Sequence, residues 1–176
     1  MENGKMKIVS WNCNYDYSRN STHALTEKKV DFLMQNGFDD ADIYAIQETR
    51  EKDLTENIEK YLGRCRHWYC DFRDSYSGIA LFSDRYIFQR INERFEKYRY
   101  VVPYFVKDKK TKKTFFLVHI WTKSLGHEQN SKNQYIKEVL NAIKDEDYAK
   151  YFKGDEPTIL LGDFNSSPNF DLIWGI

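Results

Sequence analysis

The sequence predicts a layered α/β domain, and three observations support this fold class. Short apolar segments alternate with amphipathic helical segments in the first and last thirds of the chain. Five strand-like segments follow one another in the middle. Compact polar groups stand directly after three of the apolar segments. Alternating strands and helices bury their apolar faces in packed layers, and 176 residues fit a single domain over 1–176.

The first third contains two predicted strand–helix pairs. Strands are predicted over 7–11 (KIVSW) and 42–47 (DIYAIQ), because both segments are short, apolar and rich in β-branched or aromatic residues. Helices are predicted over 26–35 and 53–62, where apolar side chains recur at helical spacing. A glycine follows each helical segment within two residues, which favours a helix end there.

The middle third contains five predicted strands, over 67–72, 78–83, 86–90, 99–106 and 114–121. The lysine-rich segment 107–113 (KDKKTKK) separates the last two strands. It is either a solvated hairpin tip or a patch that binds a phosphate backbone.

The last third returns to the alternating pattern. A helix is predicted over 131–151, with apolar residues at i, i+3 and i+4 spacing. A short apolar strand is predicted over 158–161, and it leads into the polar segment 162–165 (GDFN).

Composition limits the classes of function and compartment. The formal net charge is +0, which gives no electrostatic footprint of a duplex-binding domain, although a local basic groove would not change that sum. The three cysteines show no disulfide spacing, which is typical of reduced thiols and of a cytoplasmic protein. No apolar run approaches the length of a membrane span, so we expect no membrane association.

Polar groups follow three predicted strands, at 12–14, 47–49 and 162–165. In open α/β architectures, sites form outside the carboxyl ends of strands. Glu48 emerges from an apolar strand, where an unpartnered carboxylate is costly to desolvate. A magnesium ion is a suitable partner, because it binds one or two carboxylates together with water and phosphate oxygens.

The other polar residues fit phosphate chemistry. Asp163 could orient or deprotonate a water, and the Asn165 amide could donate to a phosphate oxygen. Asn12 and Asn14 have the same i, i+2 relation and could supply amide donors or support. The His119 imidazole, inside a strand, could donate to a developing phosphorane charge.

Two weaker hypotheses concern nearby residues. Trp121 could line a substrate pocket by stacking on a base, or it could simply end its strand. Cys65, His67 and Cys70 form a loose group of zinc-ligand types, but their spacing matches no standard structural zinc pattern and a fourth ligand is not evident.

Each candidate residue also has a purely structural interpretation. Asn12 and Asn14 could cap the loop after their strand, and Glu48 could be an acid in the first turn of the next helix. Segment 163–165 could form a turn, and His119 could be a hydrogen-bonded core histidine. The sequential order of these groups at four strand ends favours the functional interpretation.

Five motifs, in this order, resemble successive motifs of the endonuclease/exonuclease/phosphatase superfamily. The group includes abasic-site endonucleases, deoxyribonucleases, inositol polyphosphate phosphatases, neutral sphingomyelinases and deadenylases. The resemblance covers essentially the whole chain, and its most specific parts are the Gln-Glu and Gly-Asp-Phe-Asn segments. The motifs are KIVSWN over 7–12, AIQET over 45–49, GIALFS over 78–83, VH over 118–119 and LLGDFN over 160–165.

The resemblance implies a four-layer α/β sandwich with two mixed β-sheets flanked by helices, and hydrolysis of a phosphate ester with Mg²⁺ or Mn²⁺. By motif position, Glu48 matches the metal-binding glutamate and Asn12 the asparagine that supports metal and phosphate. Asp163 matches the aspartate that handles the water or its proton, and Asn165 the amide that binds phosphate. His119 matches a histidine that contacts the scissile phosphate in some branches.

The chain also departs from the family pattern. Asn14 stands where some members have an aspartate, which puts a metal role for it in doubt. Members of the family are usually longer, and their last third supplies an Asp-Tyr strand motif and a terminal Ser-Asp-His, neither of which follows Asn165 here. We therefore expect a C-terminally truncated member with an incomplete second sheet and little activity by itself.

Several functions and partners stay open at this point. We expect a metal-dependent, nuclease-like phosphodiesterase, whose substrate is a phosphate ester and could be a nucleic acid. The alternatives are a phosphatase of inositol or lipid phosphates, or a catalytically incomplete binding module. The unfinished sheet could also pair with a complementing chain or a second copy.

Overall fold

The computed structural model describes residues 5–14, 27–71, 77–91, 98–122 and 134–165, apart from the side chains of 134–136. A 3₁₀ turn at Glu51–Asp53 precedes the second helix. The helices are α1 (Glu27–Gln35), α2 (Glu56–Leu62), α3 (Gln134–Lys144) and α4 (Glu146–Lys153). The strands are β1 (Ile8–Asn12), β2 (Ile43–Thr49), β3 (Cys65–Tyr69), β4 (Gly78–Ser83), β5 (Tyr86–Arg90), β6 (Val101–Asp108), β7 (Thr114–Trp121) and β8 (Thr158–Asp163).

The strands form two mixed sheets of four strands each within the described ranges. The first sheet has the order β1-β2-β4-β3, with β1 parallel to β2 and the other pairs antiparallel. The second sheet has the order β5-β6-β7-β8, with β7 parallel to β8 and the other pairs antiparallel. Each sheet therefore has one parallel pair at the same side of the sandwich, where β1 contacts β8.

The central core lies between the two sheets. Alternate residues of each strand point inward, so the two inner faces interdigitate. The first sheet contributes Ile43, Ala45, Ile79 and Leu81, and the second sheet contributes Tyr104, Val106, Phe115 and Leu117.

Two outer cores attach the helices. Val30 of α1 and Ile58 of α2 pack with Phe82 on the outer face of the first sheet. Val139 of α3 and Tyr148 of α4 pack in the same way on the second sheet. The layers are therefore helix, sheet, sheet, helix, and the predicted four-layer α/β sandwich is confirmed. Among the described residues, β1 and β8 each have a strand partner on one side only.

The predicted single helix over 131–151 is wrong, because the chain forms two helices that meet at Asp145. Asp145 Oδ1 accepts a hydrogen bond from the Asp147 amide at 3.0 Å and caps the start of α4. Aspartate is a favoured N-cap residue because its side chain satisfies an amide that has no partner within the helix. Tyr98 donates its hydroxyl to the second carboxylate oxygen at 2.9 Å. The apolar period continues across this break, so it did not mark the boundary.

The lysine-rich segment 107–113 forms the tip of the β6–β7 hairpin. Its five lysines are exposed. The tip lies at the end of the sandwich opposite the carboxyl ends of β1, β2 and β8, so it is separate from the polar groups at those ends.

All three cysteines are free thiols in the structure. The described residues contain no group of three or more Cys, His, Asp or Glu side chains arranged for a metal, so the zinc hypothesis for Cys65, His67 and Cys70 has no support there. The helices seen in the described ranges are too short and too polar to cross a bilayer.

Candidate active site

Three predicted site residues meet at one edge of the sandwich, where strands of both sheets end. Asn12 ends β1, Asp163 ends β8, and Glu48 is the last residue but one of β2. The Asn12 amide donates from Nδ2 to Glu48 Oε1 at 2.9 Å and to Asp163 Oδ2 at 2.6 Å. One amide group therefore links a carboxylate of the first sheet to a carboxylate of the second.

An irregularity in β2 changes the direction in which the Glu48 side chain points. The β2–β4 register shifts between Ile46 and Thr49, and Glu48 has a left-handed φ of 55°. A bulge of this kind turns one side chain away from the regular alternation of a strand. Asn14 and Asn165 also have left-handed φ values, of 50° and 45°. Non-glycine residues in this region cost about 1–3 kcal/mol each and cluster at functional sites.

Cys13 holds the strained Glu48 backbone in place. Its thiol donates from Sγ to the Glu48 carbonyl at 2.7 Å, and its amide donates to the Gln47 carbonyl at 3.0 Å. Lys29 of α1 donates from Nζ to the Cys13 carbonyl at 2.6 Å. Burial raises the pKa of the Cys13 thiol to about 12, so the sulfur keeps its proton and acts as a donor. We name Cys13 and Lys29 together the Cys13 clamp.

Asn12 is fixed by a third contact. Its Oδ1 accepts from the Asn14 amide at 2.8 Å, so Nδ2 faces the two carboxylates. Both N–H groups of the Asn12 side chain are used on Glu48 and Asp163. Its role in this conformation is to position the carboxylates, and Asn14 in turn positions Asn12.

The end of β8 presents Asp163 and Asn165 together. The Asn165 amide donates to Asp163 Oδ1 at 2.9 Å, and Asn165 Nδ2 donates to the Thr122 carbonyl at 2.7 Å. The Thr122 amide donates to the Asp163 carbonyl at 2.9 Å, which ties this end of β8 to β7. This arrangement requires a glycine at position 162, because its φ is 136° and a Cβ there would lie 1.8 Å from the Ile120 carbonyl oxygen.

His119 lies in the same region but not at the surface of the site. It has 0% exposure and points between the sheets. Its Nε2 lies 2.7 Å from Gln47 Nε2, and with the amide nitrogen as donor the ring proton is on Nδ1. Burial lowers the pKa of His119 to about 3, so the ring is neutral. The expected direct contact of His119 with phosphate stays a prediction, because in this structure the ring is buried and Gln47 lies against its Nε2.

Trp121 is also placed differently from its predicted role. Its side chain is 3% exposed and packs in the central core, with its ring centroid 4.6 Å from that of Tyr100. A base could stack on this ring only if Trp121 left the core. The predicted pocket-lining role of Trp121 stays a prediction, and the buried ring favours its structural alternative.

The electrostatics of the site fit a divalent cation. Glu48 Oε1 and Asp163 Oδ2 both accept a hydrogen bond from Asn12 Nδ2. The distance between these two oxygens therefore cannot exceed the sum of the two hydrogen-bond lengths. Neither carboxylate has an ion-pair partner among the described lysines, arginines and histidines. Glu48 is partly exposed, so this negative pair faces the surface. Oxygen ligands in small number are the set that Mg²⁺ prefers, with water completing its shell.

Sequence reasoning missed three residues of this site. Gln47 belonged to a recognised motif without a role, and the structure places it between Ser10, Ala45 and His119. Cys13 stands between two candidate asparagines, and that position was its only signal. Lys29 had none, because its contact depends on how α1 packs.

Comparisons with known proteins identify the family and the fold. The sequence model of the Endonuclease/Exonuclease/phosphatase family matches residues 9–175. No curated protein sequence matches the chain significantly.

Three solved structures share the fold at low sequence identity. The human Nocturnin catalytic domain with bound sulfate has a TM-score of 0.62 and 14% identity, over 93% of this chain and 66% of that one. A mannosyl-6-phosphatase of Bacteroides thetaiotaomicron has a TM-score of 0.60 and 14% identity, over 97% and 70%. D. rerio TDP2 complexed with a single-strand DNA product has a TM-score of 0.56 and 14% identity, over 97% and 64%.

The chain thus spans about two thirds of the length of these three structures. Because the family model matches nearly all of its residues and the sandwich is shared, this chain belongs to the endonuclease/exonuclease/phosphatase family.

Proposed function

We propose that this chain contains the metal- and phosphate-binding centre of a phosphoesterase that hydrolyses phosphodiester bonds, in a nuclease-like reaction, with Mg²⁺ or Mn²⁺. The observation that carries the proposal is the meeting of Asn12, Glu48 and Asp163 from two sheets, with both carboxylates on one amide nitrogen and without a described ion-pair partner. Such a negative pair at a surface needs a cation to bind an anionic phosphate next to it.

Glu48 is the residue that would bind the metal, with Asn12 supporting it and Asp163 close by. A bound Mg²⁺ or Mn²⁺ would neutralise charge on a phosphate oxygen and make a bound water easier to ionise. Asp163 has both oxygens held by hydrogen bonds, from Asn12 and from the Asn165 amide, so its carboxylate plane is fixed. That fixed carboxylate can orient a water and accept its proton as the water oxygen bonds to phosphorus and the ester P–O bond breaks.

Asn165 is placed to bind the phosphate. One N–H of its side chain donates to the Thr122 carbonyl, and the second has no described partner. Asn165 is exposed at the mouth of the site, so this N–H can donate to a phosphate oxygen. His119 would act indirectly. Its Nε2 contacts the side-chain amide of Gln47, the residue that precedes Glu48.

Nucleic acid is the substrate class that we place first. It is supported by the likeness to D. rerio TDP2, which was solved with a single-strand DNA product. The likeness to a mannosyl-6-phosphatase favours the alternative of a phosphomonoester, as in sugar, inositol or lipid phosphates. A salt titration separates the two, since binding through many phosphates weakens steeply with salt and binding through one phosphate does not.

The metal site is tested by Mn²⁺ titration in the presence of bis(p-nitrophenyl) phosphate, with free Mn²⁺ measured by electron paramagnetic resonance. We expect Glu48→Gln to weaken Mn²⁺ binding at least about tenfold, because loss of a supporting residue alone typically costs 10–100-fold in metal affinity. The matched control is Glu51→Gln, an exposed glutamate three residues away, which should leave the affinity unchanged. Equal affinities in Glu48→Gln and the parent chain would rule out this metal site.

Turnover of the same ester tests catalysis separately. We expect slow hydrolysis by this chain, because the two described histidines, His67 and His119, lie between the sheets and no described imidazole reaches the site. Robust Mg²⁺-dependent turnover that is lost in Glu48→Ala and Asp163→Ala would contradict slow catalysis and support the function. A binding module would instead retain its ligand without metal and after Glu48→Ala.

A further inference from the structure

A second cavity lies at the opposite end of the sandwich from the candidate active site. It has a volume of about 380 Å³, within the roughly 300–1,000 Å³ of typical ligand pockets. β7 connects the two regions, since Thr114 lines the cavity and Trp121 pairs with Asp163. Seven residues of strand at about 3.3 Å each separate them by roughly 20 Å. We name this space the lower cavity.

The walls of the lower cavity are apolar. They belong to the central core and its margin, where the Tyr86 and Phe115 rings contact each other edge to face at 5.7 Å. Aromatic surface of this kind can stack on the ring of an aromatic ligand or meet it edge to face. The apolar lining residues are Met6, Tyr86, Phe115, Pro157 and Ile159.

The rim of the lower cavity is positive. Arg85 and Asp108 both line it, but they pair with each other at 2.8 Å and Asp42 also binds the guanidinium at 3.1 Å, so the positive charge of the rim comes from its lysines. Lys113 also lines it, and its ammonium group forms no hydrogen bond or ion pair with a described residue. The adjoining hairpin tip has five lysines and only Asp108 as an acid. An anion at the rim would therefore meet an unpaired cation in a positive field.

Tyr86 supplies a second polar group. Its side chain is 2% exposed, and its hydroxyl has no hydrogen-bond partner in the described part of the chain, although that oxygen is not itself fully buried. A tyrosine hydroxyl can both donate and accept a hydrogen bond. Because Tyr86 lines the lower cavity, a ligand in the cavity can provide the partner.

We propose that the lower cavity binds a small, flat organic anion. Its apolar ring system packs between the Tyr86–Phe115 pair and Ile159, and its charged group bonds to the Lys113 ammonium and the Tyr86 hydroxyl. The size of the cavity suits a bicyclic ring with one anionic substituent. This site is distinct from the phosphoesterase centre and does not depend on its activity.

The test uses 2-naphthoate and its uncharged counterpart 2-naphthamide, neither of which the proposed reaction can hydrolyse. Binding to the purified chain is followed by amide ¹H–¹⁵N NMR shifts. We expect saturable shifts with 2-naphthoate, concentrated at Thr111, Thr114 and Phe115. The neutral amide should bind at least about tenfold more weakly, which corresponds to 1.4 kcal/mol.

Matched lysine variants separate the site from general attraction to the hairpin. Lys113→Met should raise the Kd of 2-naphthoate about tenfold, whereas Lys110→Met, on the same exposed tip but outside the lining, should change it less than twofold. Ile159→Trp, which fills the cavity, should abolish binding in a chain that still gives a folded spectrum.

Three results would overturn the proposal: no saturable shift, equal binding of the neutral amide, or equal effects of Lys113→Met and Lys110→Met. Both lysines are exposed, so these two variants should fold even if Ile159→Trp does not.

Discussion

At the scale of single residues, the position of the Glu48 carboxylate depends on contacts that its backbone makes. Its left-handed backbone is held by the Cys13 thiol, which donates to its carbonyl at 2.7 Å. A buried hydrogen bond of this kind contributes about 1 kcal/mol net. Its loss lets the Glu48 backbone relax toward a less strained conformation and moves the carboxylate.

We therefore expect Cys13→Ala to weaken Mn²⁺ binding about fivefold and Cys13→Ser, which keeps a donor, to restore most of the loss. The measurement is the Mn²⁺ titration described above. Cys65→Ala serves as the control, because Cys65 pairs with Ser83 at the far end of the first sheet. Affinity unchanged in Cys13→Ala would show that the thiol does not position Glu48.

The protonation of His119 leads to a second prediction at this scale. Burial lowers its pKa to about 3 from an ordinary value near 6.5, so the unfolded chain binds one more proton than the folded chain between these pH values. The stability that this neutral ring contributes is therefore full above pH 6.5 and is lost as the pH falls toward 3. Between pH 6.5 and 5 the loss is at most about 2 kcal/mol. His67, whose pKa burial lowers to about 4, adds a change in the same direction.

Urea unfolding at pH 7 and pH 5 tests this assignment. His119→Gln removes the titrating group, so its stability should fall less between the two pH values than that of the parent chain. The comparison uses the change with pH and not the absolute stability, which the substitution itself lowers. Equal pH dependence in both proteins would mean that His119 does not titrate in this range.

At the scale of elements, the close approach of β7 and β8 determines the end of the site. A Cβ at Gly162 would lie 1.8 Å from the Ile120 carbonyl oxygen, where the neighbouring backbone cannot yield easily. Gly162→Ala should therefore cost about 4 kcal/mol or more, a size reserved for severe core disruptions. The two strands would separate just where Asp163 leaves the sheet.

Gly37→Ala is a matched control for this prediction. Gly37 also has a positive φ, of 81°, but a Cβ there would have nothing within 4 Å. It should lose only about 1–2 kcal/mol, the cost of a left-handed conformation for alanine. Chemical denaturation of both variants measures the difference. Similar losses would show that φ alone, and not the contact with β7, makes glycine necessary at 162.

At the scale of the whole molecule, the sequence predicted the elements better than their arrangement. Buried strands are nearly continuous apolar segments, so every described strand was found with small shifts at its ends. The insertion of β4 between β2 and β3 was not predictable, because strand order depends on contacts between distant segments.

The site shows the same division. The meeting of Asn12, Glu48 and Asp163 was predictable, because polar residues at the ends of neighbouring strands lie close together. His119 and Trp121 are both buried, and they share the inward face of β7 with Phe115 and Leu117. Because successive side chains of a strand point to opposite faces, the spacing of two residues already favoured burial of both side chains.

The hydrogen bond between Asn12 and Asp163 joins residues 151 apart in sequence. Contacts of this range close the largest loops, and proteins rich in them fold slowly. The proposed metal site is completed only when the two sheets have docked, so metal binding would report on the last step of folding. In interrupted refolding experiments, the capacity to bind Mn²⁺ should appear with the slowest phase, after the fluorescence change of core tryptophans has begun. Binding that precedes that phase would mean that one sheet is sufficient to form the site.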